Sequence, residues 1–342
     1  MDGLAYRQFC FLPYIKIEEP LTIGPVLFWP FHKLSKEYIQ DEKTLNAMNL
    51  YLSHHIENDP EHRRVLPATI VQLRKNTDWH PLSNIEAQNI KSAINALFFS
   101  TVIKNTKNFA KSADDFRHIF QNFGFNNDGI TVSSGSIIQT QHAGYTVHEI
   151  DFIAPYTVST GRPHSNHKKL LNSLGKLLST RKYANLRNRI FNALNWVFRS
   201  YSNDESRDWG TRIVMMMMAF EHLLVDFKYR DGFADAIERL TCPTSTYIID
   251  KHSTRTINKK GEKRKYSFRG WWAFEFYMLR NSIVHGDKIN FSTLINRKKV
   301  PYYNISIFMF MECVKKLLSE ISLYEYDGMD DAEYSQKLKP LI

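Results

Sequence analysis

The stretch Phe274-Glu275-Phe276-Tyr277-Met278-Leu279-Arg280-Asn281-Ser282-Ile283-Val284-His285-Gly286-Asp287 decides how the second half of this chain is read. Phe276, Leu279 and Ile283 recur at the spacing of one buried helix face. Gly286 supplies a stop, because glycine accepts the left-handed conformation in which many helices end. Arg280, Asn281 and His285 therefore fall in the last turns of a helix whose other side packs into a core. Asn281 and His285 are four residues apart and share a face. Arg280 lies about 140° round the helix from His285, and its long side chain can bend back towards the same spot. The negative end of the helix dipole favours a protonated imidazole at His285. A fixed guanidinium beside a group that titrates near neutral pH is the pairing that phosphodiester chemistry uses. The same residues also fit a plain capped helix with an arginine ion pair and a half-buried histidine.

Arg280-Asn281-Ser282-Ile283-Val284-His285 matches the R-x4-6-H signature of HEPN domains, in the form with Asn after the Arg. The flanking YMLRNSIVHGD resembles the same family. So does LNWVFRSYSNDESRDWGTRIVMMMMAFEHLL, from Leu194 to Leu224, which looks like the first two helices of the ApeA-like branch. The resemblance covers roughly residues 183–324. It implies an all-α bundle that pairs as a homodimer, and a metal-independent endoribonuclease of a prokaryotic antiphage or toxin-type system, with no cofactor. It further implies Arg280, Asn281 and His285 as the catalytic set, and Glu221, inside MMMMAFEHLL, as the carboxylate that holds Arg280. Glu221 reads equally as a structural ion pair or as part of an exposed face. RNA is the implied substrate, with a phage-derived trigger or an antitoxin as a further partner. Two rival classes stay open: a non-catalytic HEPN module binding RNA, nucleotide or protein, and a structural dimeric scaffold.

Composition sets outer limits. At 342 residues, with 43% hydrophobic and 13% aromatic content, the chain has material for two cores. No stretch is long and uncharged enough to span a bilayer: the most apolar run, Ile213 to Phe227, contains Glu221, His222 and Asp226. The N-terminus shows no basic region followed by an apolar run. Cys10, Cys242 and Cys313 are scattered, which argues for a reducing, cytoplasmic setting rather than a disulfide framework. The net charge of +10 is uneven. Residues 1–180 hold 18 Lys/Arg against 16 Asp/Glu, while residues 181–342 hold 27 against 19. A polyanionic partner would meet the second half.

The expected fold is α+β: a mixed, β-rich N-terminal domain over 1–160, a junction with a short helix over 161–182, the HEPN-like bundle over 183–324, and an acidic tail over 325–342. In the first part, RQFCFLPYIKI and LTIGPVLFWPF read as short strands, Thr44 to His55 as a short helix and Val65 to Leu73 as a strand. Leu82 to Thr101 is its clearest helix: Ser83 and Glu86 have capping-box spacing, and Ile90, Ile94, Leu97 and Phe98 form a stripe. Asp114 to Phe123 reads as a short helix, and Gly129 to Ser159 as strands. The bundle helices are expected at Tyr183–Ser200, Asp208–Tyr229, Gly232–Leu240, Arg269–His285 and Asn304–Ser322.

Between the third and fourth of these lies a basic loop or small hairpin. Lys259, Lys260, Lys263, Arg264, Lys265 and Arg269 are its candidate RNA-binding residues, and Tyr266 and Phe268 can stack on bases. It also reads as a solvated insert. Met215–Met218 cover every side of a helix and read as core filling. His164 with His167, and His54 with His55, have no Cys or carboxylate at ligand spacing, so no metal site is expected.

Overall fold

The computed structural model describes residues 5–15, 17–31, 37–53, 55–56, 68–104, 113–126, 129–134, 137–140, 152–153, 167–202, 208–225, 227–241, 255–259, 262–287, 294 and 301–338. The chain forms two compact units. One comprises Met1–Phe98 and Ala110–Asn166, the other Phe99–Phe109 and His167–Ile342.

The first unit is built on an antiparallel sheet of seven strands. They are β1 (Ala5–Leu12), β2 (Leu21–Ile23), β3 (Val26–Pro30), β5 (Thr69–Leu73), β6 (Ile119–Asn126), β7 (Gly129–Ser134) and β8 (Ile137–Thr140), in the order β2-β3-β5-β1-β6-β7-β8. Gly24, at φ +60°, opens the two-residue turn that pairs Ile23 with Val26, a place that asks for glycine. Short β4 (His55–Ile56) pairs in parallel with β9 (Phe152–Ile153). Helix α1 (Glu42–Ser53) contributes Met48 and Leu52 to a core with Phe9, Phe11, Trp29 and Trp79. Helix α2 (Asn84–Lys104) starts with the expected box: Glu86 accepts from the Ser83 N–H and hydroxyl, and its own N–H donates to Ser83 Oγ. Its stripe of Ile90, Ile94, Leu97 and Phe98 is fully buried.

The expected helix over Asp114 to Phe123 is corrected. Only Ala113–Phe116 turns, as a 3-10 segment, and β6 follows from Ile119, where its ladder with β1 supplies the hydrogen bonds a helix would have made. Of the Gly129 to Ser159 expectation, residues 135–136, 141–151 and 154–159 lie outside the described residues.

The second unit is mainly helical. Its elements are α3 (Lys168–Ser179), α4 (Ala184–Ser200), α5 (Trp209–Leu223), α6 (Tyr229–Thr241), the hairpin β10 (Arg255–Lys259) and β11 (Glu262–Tyr266), α7 (Phe268–Val284), α8 (Tyr302–Glu320) and α9 (Gly328–Leu338). Helix α4 packs along α5, and α6 along α7. Residues Ile305 to Lys315 of α8 are all buried, so α8 is enclosed on every side. Phe220 is the hub of the core: its ring lies 5.3–6.3 Å from those of Phe233, Trp272, Phe276 and Phe310, on α6, α7 and α8. Met216 and Met217 are buried, whereas Met215 and Met218 are partly exposed.

Three sequence boundaries move. The expected helix Asp208–Tyr229 ends early, because α5 stops at Leu223, and the expected helix Gly232–Leu240 begins early, as α6 at Tyr229, which has φ +63°. The stretch read as a junction belongs to the helical unit from His167 on: Leu170, Leu171, Leu174, Leu177 and Leu178 of α3 are buried. The acidic tail is likewise part of the fold. Buried Lys315 Nζ lies 2.9 Å from Asp330 Oδ1 and 2.9 Å from Glu333 Oε2, and a buried ammonium requires such partners. Tyr324 donates to Asp330, and the Tyr326 hydroxyl lies within hydrogen-bond distance of both Glu312 (2.6 Å) and Asp331 (2.8 Å).

Candidate functional site

Helix α7 carries the candidate residues at its C-terminal end. Ser267 caps its start, and the chain leaves it through a complete Schellman motif. Gly286, at φ +76°, donates to the Ile283 carbonyl (3.2 Å), and Asp287 N–H donates to the Ser282 carbonyl (2.9 Å). His285 is the C-cap and is exposed. Two stripes form the outer side of the last turns. One holds Met278, Asn281 and His285. The other holds Tyr277, Arg280 and Val284.

Arg280 is anchored from two sides. Its Nη1 donates to Asn281 Oδ1 at 3.1 Å, and its Nη2 to Glu221 Oε1 on α5 at 3.4 Å. The Tyr277 ring lies 6.0 Å from the guanidinium. Arg280 Nε is buried and has no hydrogen-bond partner among the described residues. The side chains of Arg280 and Glu221 are 25% and 36% exposed, so the pair is reachable by a solute and contributes at most about 1 kcal/mol to stability. The structure thus brings Arg280, Asn281 and Glu221 into direct contact, with His285 one helical turn beyond Asn281.

The chain matches no family model, no curated protein and no solved structure.

The basic hairpin stands elsewhere. β10 pairs with β11 so that Asn258 faces Lys263 and Lys259 faces Glu262. The backbone positions of Lys259, Lys263, Arg264 and Lys265 lie on these strands, and Lys260 lies outside the described residues. The hairpin joins α7 at its N-terminus, while Arg280 and His285 stand at the other end. Across the 17 residues of α7 the separation is about 25 Å. A strand touching both would have to run the length of the helix.

Arg269 is corrected as an RNA-binding residue. Its side chain is fully buried, and Nη1 donates to the carbonyl of Thr241 at 2.5 Å. Thr241 ends α6, whose last carbonyls have no partner within the helix, and the guanidinium caps that negative end. Glu238 of α6 fixes the joint between hairpin and helix. It accepts from Ser267 N–H (3.1 Å), Ser267 Oγ (2.7 Å) and Gly270 N–H (3.1 Å). Gly270 leaves room for this carboxylate: a Cβ there would sit 2.5 Å from Glu238 Oε2 and 2.7 Å from the Tyr266 ring. Tyr266 donates to Asp235 at 2.8 Å.

The sequence reading missed a cluster beneath α9. His167, Asp330 and Glu333 hold potential ligand atoms within 4.8 Å of one another. Their negative charge is met by the Lys315 ammonium and by Lys169, which reaches Asp330 at 3.5 Å as well as Asp327 at 2.8 Å. His167 Nδ1 accepts from Leu170 N–H as the N-cap of α3, which leaves Nε2 to donate to Glu333 at 3.1 Å. Burial raises the Glu312 carboxyl above its usual range, against the opposing pull of Lys315 and Arg269. The signal was present in Glu312, Lys315 and Lys316, three charges inside the apolar run of α8.

Proposed function

We propose that this chain is a metal-independent endoribonuclease of the HEPN type, working as a homodimer in a prokaryotic antiphage or toxin-type defence system. The observation that carries the reading is the outer face of α7, where an anchored guanidinium, an amide and an exposed imidazole are presented together. The resemblance of Leu194 to Leu224 and of Arg280 to His285 to ApeA-like HEPN sequences supplies the reaction class. Exposed Met278 and Val284 on the same face favour a second copy as its cover.

In this reading RNA lies against α7. The 2′-OH attacks the adjacent phosphorus, the O2′–P bond forms, and the P–O5′ bond breaks. One His285 takes the 2′-OH proton, and the His285 of the second copy gives a proton to the departing 5′-oxygen. Arg280 binds the scissile phosphate and stabilises the added charge on its oxygens, with Glu221 and Asn281 holding the guanidinium in orientation. The products are a 2′,3′-cyclic phosphate and a 5′-hydroxyl. The working compartment is then the cytoplasm, and the first unit senses a phage-derived trigger or meets an antitoxin.

The test is cleavage of cellular RNA by purified wild type and His285→Ala, both with EDTA. Cutting that persists in EDTA, leaves cyclic phosphate ends and disappears in His285→Ala is expected. Absence of cutting by wild type, together with no growth arrest in cells that Arg280→Ala relieves, overturns the enzyme reading. One observation favours the rival, a non-catalytic module binding RNA, nucleotide or protein: both Nη groups of Arg280 already have protein partners. A purely structural scaffold predicts a buried, satisfied His285, and His285 is exposed.

A further inference from the structure

We infer that the cleft bounded by α4, α6 and the ends of α5 and α8 is a binding site for a small organic monoanion with an apolar body. The cleft has a volume of about 310 Å³ and opens on one side to solvent. That is the lower end of the range for small-molecule sites. Leu224, Leu240 and Leu317 give it an apolar wall, and Arg189, Arg239 and Glu320 supply its charges.

Arg189 is the fixed element. Its Nη2 donates to the Leu223 carbonyl at 2.6 Å, which pins the guanidinium at the wall. Its Nε is buried and has no hydrogen-bond partner among the described residues. Arg189 and Arg239 both line the cleft, so an oxygen-bearing anion is the polar group it accommodates. Arg239 is exposed on the rim.

The charge balance selects the ligand. Two guanidiniums against Glu320 leave one positive charge. Three helices also finish here: α5 at Leu223, α6 at Thr241 and α8 at Glu320. Their carbonyl ends offset part of the arginine field. A dianion such as inorganic phosphate finds at most one net positive charge for its two and gains nothing from the leucines. A single carboxylate on a short alkyl chain matches both the donors and the wall.

Hexanoate is the probe, titrated calorimetrically into the full chain, with inorganic phosphate, hexylamine and hexanol as comparators. The expected result is saturable, one-to-one binding of hexanoate alone, with a rise in Tm. Arg189→Met should weaken it at least tenfold, about 1.4 kcal/mol. Because Arg189 also caps α5, two exposed variants keep the outcome readable. Arg239→Gln should weaken hexanoate without lowering Tm in its absence, and Val225→Trp, at the mouth, should block entry. No saturable hexanoate binding to folded wild type overturns the site. Binding of phosphate or hexylamine as tight as that of hexanoate overturns the monoanion assignment. Binding unchanged in both exposed variants places hexanoate elsewhere and overturns it too.

Discussion

Replacing Lys315 by Met removes the buried charge that bridges the Asp330 and Glu333 carboxylates of α9. Methionine keeps most of the lysine stem, so packing changes little. Asp330 and Glu333 each lose a 2.9 Å partner, and Asp330 has a side chain only 5% exposed. Breaking a buried pair by deleting one member costs about 3–5 kcal/mol. Asp330 keeps the Tyr324 hydroxyl and the Asp327 N–H, and Glu333 keeps His167. The lower end applies, about 3 kcal/mol. For a unit of this size each kcal/mol moves Tm by about 2–4 °C, so the helical transition should fall by about 6–12 °C at neutral pH.

The pH dependence of that loss has a definite sign. Burial acts against the Asp330 charge, yet Tyr324, Lys315 and the Asp327 N–H outweigh it and hold the carboxyl below its ordinary range. A depressed carboxylate stabilises the fold above its ordinary pKa, and the contribution disappears as pH falls through the folded value. Burial also opposes the Lys315 ammonium, and Glu312, Glu333 and Asp330 raise its pKa nonetheless. That contribution is complete below the ordinary lysine pKa and is lost as pH rises through the raised one. The gap between wild type and Lys315→Met is therefore widest around neutrality and closes in acid. Thermal unfolding followed by circular dichroism from pH 3 to pH 8 reads it. A drop of less than about 2 °C at neutral pH, or a gap that widens in acid, refutes the reasoning.

Two further substitutions address the end of α7. Gly286→Ala should cost about 1–2 kcal/mol in urea unfolding, because φ +76° strains an L side chain; no atom of the described residues beyond its chain neighbours stands within 4 Å of the added Cβ, so the loss is one of backbone conformation. Glu221→Gln should change stability by less than about 1 kcal/mol, since the pair is partly exposed, while RNA cleavage falls at least tenfold; equal cleavage would show that Glu221 does not position Arg280.

Local signals in the sequence carried the element types well. The Ser83/Glu86 box, the Gly286 stop and the period of Phe276 and Leu279 each act within one or two helical turns, and each appears in the fold at its expected place. The pairing of Glu221 with Arg280 spans 59 residues, and periodicity alone could not orient it. What misled were charges. Arg269 looked like one more cation of a basic insert, but its place opposite the end of α6 is a tertiary fact. The acids after Glu325 looked like a solvated tail because Lys315, which they neutralise, is hidden inside an apolar helix. Phe120 and its neighbours looked helical because the partner that makes them a strand, β1, lies far away in the sequence and leaves no local mark.

The Glu238 joint has a mechanical meaning. Glu238 takes two hydrogen bonds from Ser267, the single residue between the hairpin and α7, and a third from Gly270 in the first turn of α7, so force on the hairpin arms is not lost at a flexible link. It becomes rotation of a stiff rod. Over about 25 Å, a tilt of about 2° carries the far tip through about 1 Å. A shift of 1 Å is enough to change a reaction rate about a hundredfold where groups must meet in register. A polyanion gripping the basic arms would thus act on Arg280 and His285 through leverage, without touching either.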